Sequence, residues 1–343
     1  MKETHIIAEM AWGHDGSISQ AIELLKTAKE CGADSFSIHL TDLPNYMVNY
    51  YGSGEGKVSE GREDLDVYKY LEDINLSRKD WQKLSVAAKE INIDLCVMPN
   101  DIQSLKFSEK EINPKYYVVS PACFAEKNML EAIAKTKKKT FFRIGGSYLA
   151  EIETAVGIFR KFNNKKIVLL HGFQNYPTKI EETDLSLLTT LRKIFDVEVG
   201  LADHIDGGSS LAKIIPILSL PYGATYIEKH ITLDRNKKSE DFESALNPDD
   251  FKEFVDNVRA SEIAIGNSSF KGLSEATKRY RKIVRKKIVA KVDILQGEVI
   301  SMNHLIYKRC DTGLTPENAS YLIGRKASRK IGKDDVVDLS NIE

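Results

Sequence analysis

Apolar residues along this chain gather into short runs that alternate with stretches of helical periodicity. Residues 4–12 (THIIAEMAW) form the first run, closed by Gly13-His14-Asp15-Gly16. Ser17 is placed to cap a helix over 18–31, where Ile22, Leu25 and Ala28 recur on one face and Gly32 ends the pattern. The run 35–40 (SFSIHL) follows. A helix over 78–91, capped by Ser77, precedes strand 95–99. The alternation continues through strand 116–120 and helix 126–135, strand 140–144 and helix 149–162, and strand 167–173 and helix 185–195. Strand 197–202 with a helix-length segment 209–221, and strand 224–227 with helix 250–265, complete it. Strands that are almost continuously apolar are buried on both faces, as in a parallel sheet covered by helices. Eight strand–helix units predict an α/β fold, a closed (β/α)8 barrel, over residues 1–266.

Two stretches break the alternation. Residues 41–76 are polar and Gly-rich, with GSGEGKVSEG inside them, and a segment of that length in a barrel is more often a lid or binding loop than a connector. After residue 285 the texture changes to short β-like runs, KIVAK at 287–291, GEVI at 297–300 and LIYKR at 305–309. Residues 267–283 read as a linker and 284–343 as a small β-rich module. Such a module is too small to bury much core alone and is expected to dock on the barrel or on a second subunit.

Parallel barrels collect their catalytic groups at the carboxyl ends of the strands. His14, His39, His171, His204 and His230 fall at or just after such ends, five of the seven histidines in the chain. His204 and His230 close two successive strands in equivalent positions. Two imidazoles converging there are a candidate site for a divalent metal, with a structural strand-end role as the alternative for each. Glu9 lies in the first strand and Asp241 follows the eighth, and two carboxylates beside a metal suit acid–base work. Arg143 ends the fifth strand before two glycines. A buried guanidinium there must find an anion, either a substrate's or that of an acidic neighbour.

The composition narrows the function more than the fold. In 343 residues, 49 basic and 50 acidic side chains nearly cancel, which suggests no nucleic-acid or anionic-membrane partner. The basic run 278–287 reads as a solvated helix face or linker. The four cysteines have no CxxC pairing. The opening MKETHIIAEM lacks an apolar signal core, and no apolar run reaches the ~20 residues of a membrane span, so a soluble, cytoplasmic protein is expected.

The chain resembles the sialic acid synthase, or nonulosonate synthase, family over nearly its whole length. IIAEMAWGHDGS is similar to that family's IxAExGxNHxG, LLHGFQNYPT to LLHCxxxYPT, and GLADH to GLSDH. IEKHITLDR, followed by Asp241 and by Ser244 to Pro248, is similar to ExHFTLDR…GPD…SLxPxxF. The tail, from KIVAKVDILQGEVI to IGRKASRKIGKDDVV, looks like the antifreeze-like (SAF) module of these enzymes. The resemblance implies condensation of phosphoenolpyruvate with a six-carbon amino sugar, giving a nine-carbon α-keto acid and phosphate. It implies manganese or magnesium held by His204 and His230, polarising the sugar aldehyde. Glu9 would stand near the sugar and the attacking water, and Asp241 would contact the sugar and move protons. It further implies sugar contacts at Glu228 and Tyr176. Arg309 would be contributed by the tail of one subunit to the other's barrel in a homodimer. His14 and Gln174 fall in matched substrate-binding segments.

The departures concentrate on the phosphoenolpyruvate half of the site. The family's VKFQ is FSIH here, with Ser37 for lysine and His39 for glutamine. KIGSGE becomes VVSPAC at 118–123, STGM becomes RIGG at 143–146, and STP becomes VMP at 97–99. Ala202 replaces the serine of GLSDH, and Gln174 an asparagine. Phosphate binding needs donors and positive charge, which Arg143 with His39 is expected to restore in part by gripping the donor's anionic group. The alternatives are a metal-dependent sugar or keto-acid enzyme that no longer uses phosphoenolpyruvate, and a non-catalytic sugar-binding relative. Glu9, Asp241, His204 and His230 together argue against the last.

Overall fold

The computed structural model of this protein describes residues 3–51, 66–172 and 175–343. Eight parallel strands close into a barrel in chain order: β1 (His5–Glu9), β2 (Ser35–Leu40), β3 (Asp94–Pro99), β4 (Tyr116–Val119), β5 (Lys139–Arg143), β6 (Ile167–His171), β7 (Glu198–Asp203) and β8 (Ala224–His230). Around it run α1 (Ile18–Glu30), α2 (Leu43–Tyr46), α3 (Val67–Ile74), α4 (Arg78–Glu90), α5 (Ile102–Phe107), α6 (Lys127–Lys135), α7 (Leu149–Lys161), α8 (Leu187–Phe195) and α9 (Pro248–Ile265). Ser17 and Ser77 cap α1 and α4, each hydroxyl accepting a backbone N–H of the first turn. None of the described helices is long and apolar enough to cross a membrane.

Strand alternation divides the apolar residues into two layers. Phe142, Phe36 and Leu169 face outward onto Leu24, Leu130 and Phe159 of the helices. Phe141 joins Ile7, Met98, Val118, Leu170, Ala202 and Tyr226 inside the barrel. Each fully buried Leu or Phe contributes about 1.5–3 kcal/mol, so these layers hold the strand ends in place. A β-carbon at Gly172 would collide with the Ala202 carbonyl, so glycine lets the chain after β6 lie against β7.

The segment 209–221 is not an α-helix. It forms two 3-10 segments, Ser210–Lys213 and Ile215–Tyr222. Pro216 has no N–H to donate, and its ring would strike the Ala212 carbonyl of a regular helix. Within 41–76, α2 and α3 bring Leu43 and Leu71 together with Trp12; residues 52–65 of the expected lid lie outside the described residues.

The chain divides into two compact units, Met1–Asn267 and Ser268–Glu343. The stretch read as a linker carries α10 (Glu275–Val284), capped by Ser274 and with none of its residues buried. The second unit pairs β9 (Lys286–Ala290) antiparallel with β10 (Leu305–Arg309) over Ile288, Ile294, Ile300 and Leu322. GEVI supplies only an isolated bridge from Val299 to Lys326.

Candidate active site

Closure of the barrel brings distant residues together. Glu9, the last residue of β1, is paired by register with His230 on β8 and with Ser37 on β2. Alternation turns Glu9, Ser37, His39, Arg143, Glu228 and His230 toward the axis. Arg143 is the hub. Its Nη2 reaches Glu9 Oε2 and lies 2.9 Å from Glu228 Oε1. Glu9 Oε1 also accepts the Ala11 N–H at 2.6 Å and lies 3.4 Å from His39 Nε2. Of the two partners considered for Arg143, the structure holds it against acidic neighbours.

Burial and pairing set the charges. Burial works to raise Glu9, but Arg143, His39 and His230 override it and bring the carboxyl down to about 2. Burial pushes Glu228 up to about 7 against the pull of Arg143. Burial also works against the Arg143 charge, which Glu228 and Glu9 more than restore. His39 is lowered to about 4 and His230 to about 3, chiefly by burial, so both imidazoles are neutral at pH 7.

The His204 and His230 rings lie 5.2 Å apart between centroids. Tyr176 stands edge-on to both, at 4.6 and 5.9 Å. The His204 carbonyl accepts the Thr178 N–H and the Ser244 hydroxyl, each at 2.8 Å, which fixes the chain after β7. Asp241 Oδ2 is 3.9 Å from His230 Nδ1, and burial pushes that carboxyl up to about 8. Asp241 holds φ at +60°, a conformation that Asp tolerates better than most residues. Its loop is tied by Arg235, whose Nη1 donates to the carbonyls of Phe242, Glu243 and Ala245 and whose Nη2 meets Asp206.

Neutral imidazoles suit a divalent metal, and His230 Nε2 has no hydrogen-bond partner among the described residues. No group of three or more His, Cys, Asp or Glu side chains is arranged for a metal among those residues. Among the described residues the protein would therefore offer a divalent metal the two imidazoles of His204 and His230.

His14 is fully buried, its ring 5.9 Å from Trp12 and 5.5 Å from Trp81, with Nδ1 accepting the Gly16 N–H. Gln174 lies outside the described residues. Arg309 is the exposed last residue of β10 in the second unit. Sequence reasoning missed Arg235 and the buried pair of Lys229 with Asp203. A lysine inside an apolar strand is itself a signal, because a buried charge needs a partner.

Residues 24–270 match the NeuB family and residues 285–343 the SAF domain. An uncharacterized protein of Methanocaldococcus jannaschii is 32% identical over 97% of this chain and 93% of its own. The N,N'-diacetyllegionaminic acid synthase of Campylobacter jejuni is 29% identical over 98% of this chain and 99% of its own. A pseudaminic acid synthase of Campylobacter jejuni is 31% identical over 98% and 96%. Among solved structures, a Chromobacterium violaceum protein assigned to spore coat polysaccharide biosynthesis superposes with a TM-score of 0.78 at 21% identity, over 99% of this chain and all of that one. The fold is therefore shared end to end, and on its sequence this chain belongs to the NeuB family, with a C-terminal SAF domain.

Proposed function

We propose that this chain is a nonulosonic acid synthase, a carbon–carbon bond-forming transferase that joins phosphoenolpyruvate to the open-chain aldehyde of a six-carbon amino sugar. The observation that carries the reading is the convergence of Glu9, Tyr176, His204, Glu228, His230 and Asp241 on one barrel mouth of a NeuB-family chain. His204 and His230 would hold manganese or magnesium, which supplies Lewis-acid polarisation of the sugar's carbonyl oxygen. Glu9, anchored by Ala11 and Arg143, orients the sugar and the attacking water. Asp241 moves a proton at the sugar, and Tyr176 and Glu228 wall the sugar's side of the site. Arg143 and His39 face the donor's anionic group. The protein works as a cytoplasmic homodimer in which Arg309 of one subunit reaches the other's sugar. That none of the residues of α10 is buried supports an intersubunit role for the tail.

Phosphate release from phosphoenolpyruvate tests this, with a panel of N-acylated hexosamines and added Mn2+ or Mg2+. Release that depends on both sugar and metal is expected. A second reading draws on Ser37, Val118 and Ala202, which leave this site without the family pattern's lysines and serine. It is a metal-dependent aldol cleavage or isomerisation of a sugar or keto acid, and no phosphate release with any sugar would favour it.

A further inference from the structure

We infer that the Glu228 carboxylate holds the place of the donor substrate's carboxylate on Arg143, and that the donor is recognised through that carboxylate rather than through a phosphate. The inference rests on the reading of this barrel mouth as a synthase site and names how its donor half is built.

The two carboxylates on Arg143 are not equivalent. Glu9 is anchored independently of the arginine by the Ala11 N–H at 2.6 Å. Glu228 has the Arg143 contact at 2.9 Å and no other polar partner among the described residues. Arg143 Nε, buried with the rest of the side chain, has no hydrogen-bond partner among them either. A buried guanidinium N–H left unmade is costly. A carboxylate approaching the arginine side-on would take Nε and draw Nη2 away from Glu228, in the paired geometry that guanidinium offers carboxylates. Glu9 would keep its place, and the displaced Glu228 would turn to the sugar's side of the site.

The surroundings fit a small carboxylate better than a phosphate. Arg143 and Lys229 are the only buried cations among the described residues, and Lys229 lies on the opposite face of β8, against Asp203. Below the arginine the barrel is apolar, with Met98, Val118, Leu170 and Ala202 forming a floor for a methyl or methylene end. With Glu9 kept in place, the guanidinium has Nε and one side left for a single incoming carboxylate. Among the described residues a doubly charged phosphate would find no second buried side-chain cation on this face.

Calorimetry on the full-length, metal-loaded protein without sugar tests this with three probes: pyruvate, phosphoenolpyruvate and inorganic phosphate. Pyruvate and phosphoenolpyruvate should bind within about tenfold of each other, and excess phosphate should not displace pyruvate. Glu228→Gln removes the competing anion and should tighten pyruvate about tenfold, whereas a merely structural role predicts equal or weaker binding. Arg143→Lys keeps the charge but loses the side-on fork, and should weaken pyruvate by about tenfold or more. Phosphate competing as well as pyruvate, or Glu228→Gln failing to tighten pyruvate in a folded protein, overturns the inference. If that variant does not fold, unchanged affinity in Arg143→Lys overturns it. Tight pyruvate binding without phosphate release from any sugar would instead sink the synthase reading and leave this one standing.

Discussion

Replacing Lys229 with methionine should destabilise the barrel severely, and replacing Asp203 with leucine in the same chain should largely reverse the damage. Lys229 is completely buried and Asp203 4% exposed. They are register partners on β8 and β7, and Lys229 Nζ reaches both the Asp203 carboxylate and, at 3.4 Å, the Ile205 carbonyl. The methionine keeps an unbranched chain one atom shorter than the lysine's but leaves the Asp203 carboxylate buried with its counter-ion gone. Breaking one side of such a pair costs about 3–5 kcal/mol, whereas exchanging both partners for apolar groups of similar volume is often neutral or stabilising by about 1–4 kcal/mol. Burial raises the Asp203 carboxyl even with Lys229 beside it, so desolvation outweighs the attraction and the pair adds little net stability. Its value is positional. The two residues stand one place before His204 and His230, and the lysine bridges Asp203 and Ile205 across His204. Urea unfolding followed through the buried Trp12 and Trp81 gives the two free energies. Lys229→Met as stable as wild type, or a double variant as unstable as the single, would refute the reasoning.

His204→Ala and His230→Ala should each lose tightly bound divalent metal on equilibrium dialysis, while a chelator leaves the circular dichroism of the wild type unchanged, since the apolar layers carry the fold. Unchanged metal content in both variants removes the site. His14 and His39 are lowered to about 4 mainly by burial, against Asp15 for the first and Glu9 for the second. Unfolded imidazoles titrate near 6.5, so the unfolded chain binds protons first as pH falls. Stability is full above pH 6.5 and is lost toward 4, and the two ring signals should stay fixed in NMR spectra between pH 8 and 5. A ring that titrates near 6.5 contradicts the burial. Cys31, Cys96 and Cys123 are buried with raised thiols, so a thiol reagent at pH 8 should label only Cys310 before unfolding. Arg235→Lys should cut activity by about tenfold or more with little change in unfolding midpoint, because an ammonium cannot span three carbonyls and Asp206 in one plane; wild-type turnover would show that the Asp241 loop needs no such tie.

The barrel was legible because parallel strands buried on both faces read as unbroken apolar runs, and β2 and β5 fall close to where hydropathy puts them. His204 and His230 were legible for a related reason, since each polar residue at the end of an apolar run marks the catalytic rim. Pro216, deep in an apolar segment of helical length, was the signal against a helix at 209–221. Helix α10 was obscured because it buries nothing, so no apolar stripe stands out among its lysines and arginines. The partners of Arg143 were beyond sequence reasoning. Positions 9, 143 and 228 share no spacing rule, and only barrel closure places two carboxylates against one guanidinium.

That closure also links departures from the family pattern that look independent in the sequence. Ser37 and Val118 remove two lysines from the inner wall, and a barrel that kept Glu9 and Glu228 without them would bury two carboxylates with no counter-charge. An unpaired buried charge is costly enough that the gap must be filled or the carboxylates abandoned. Arg143, standing where the pattern has a small hydroxyl, fills it from β5, next to the strand of Val118, by reaching both glutamates with one nitrogen. One cation facing two carboxylates leaves no surplus positive charge for an incoming dianion. The substitutions at 37, 118 and 143 thus bear on the same pair of carboxylates, and restoring lysine at 37 while Arg143 remains should place two cations against them rather than recreate a phosphate cradle.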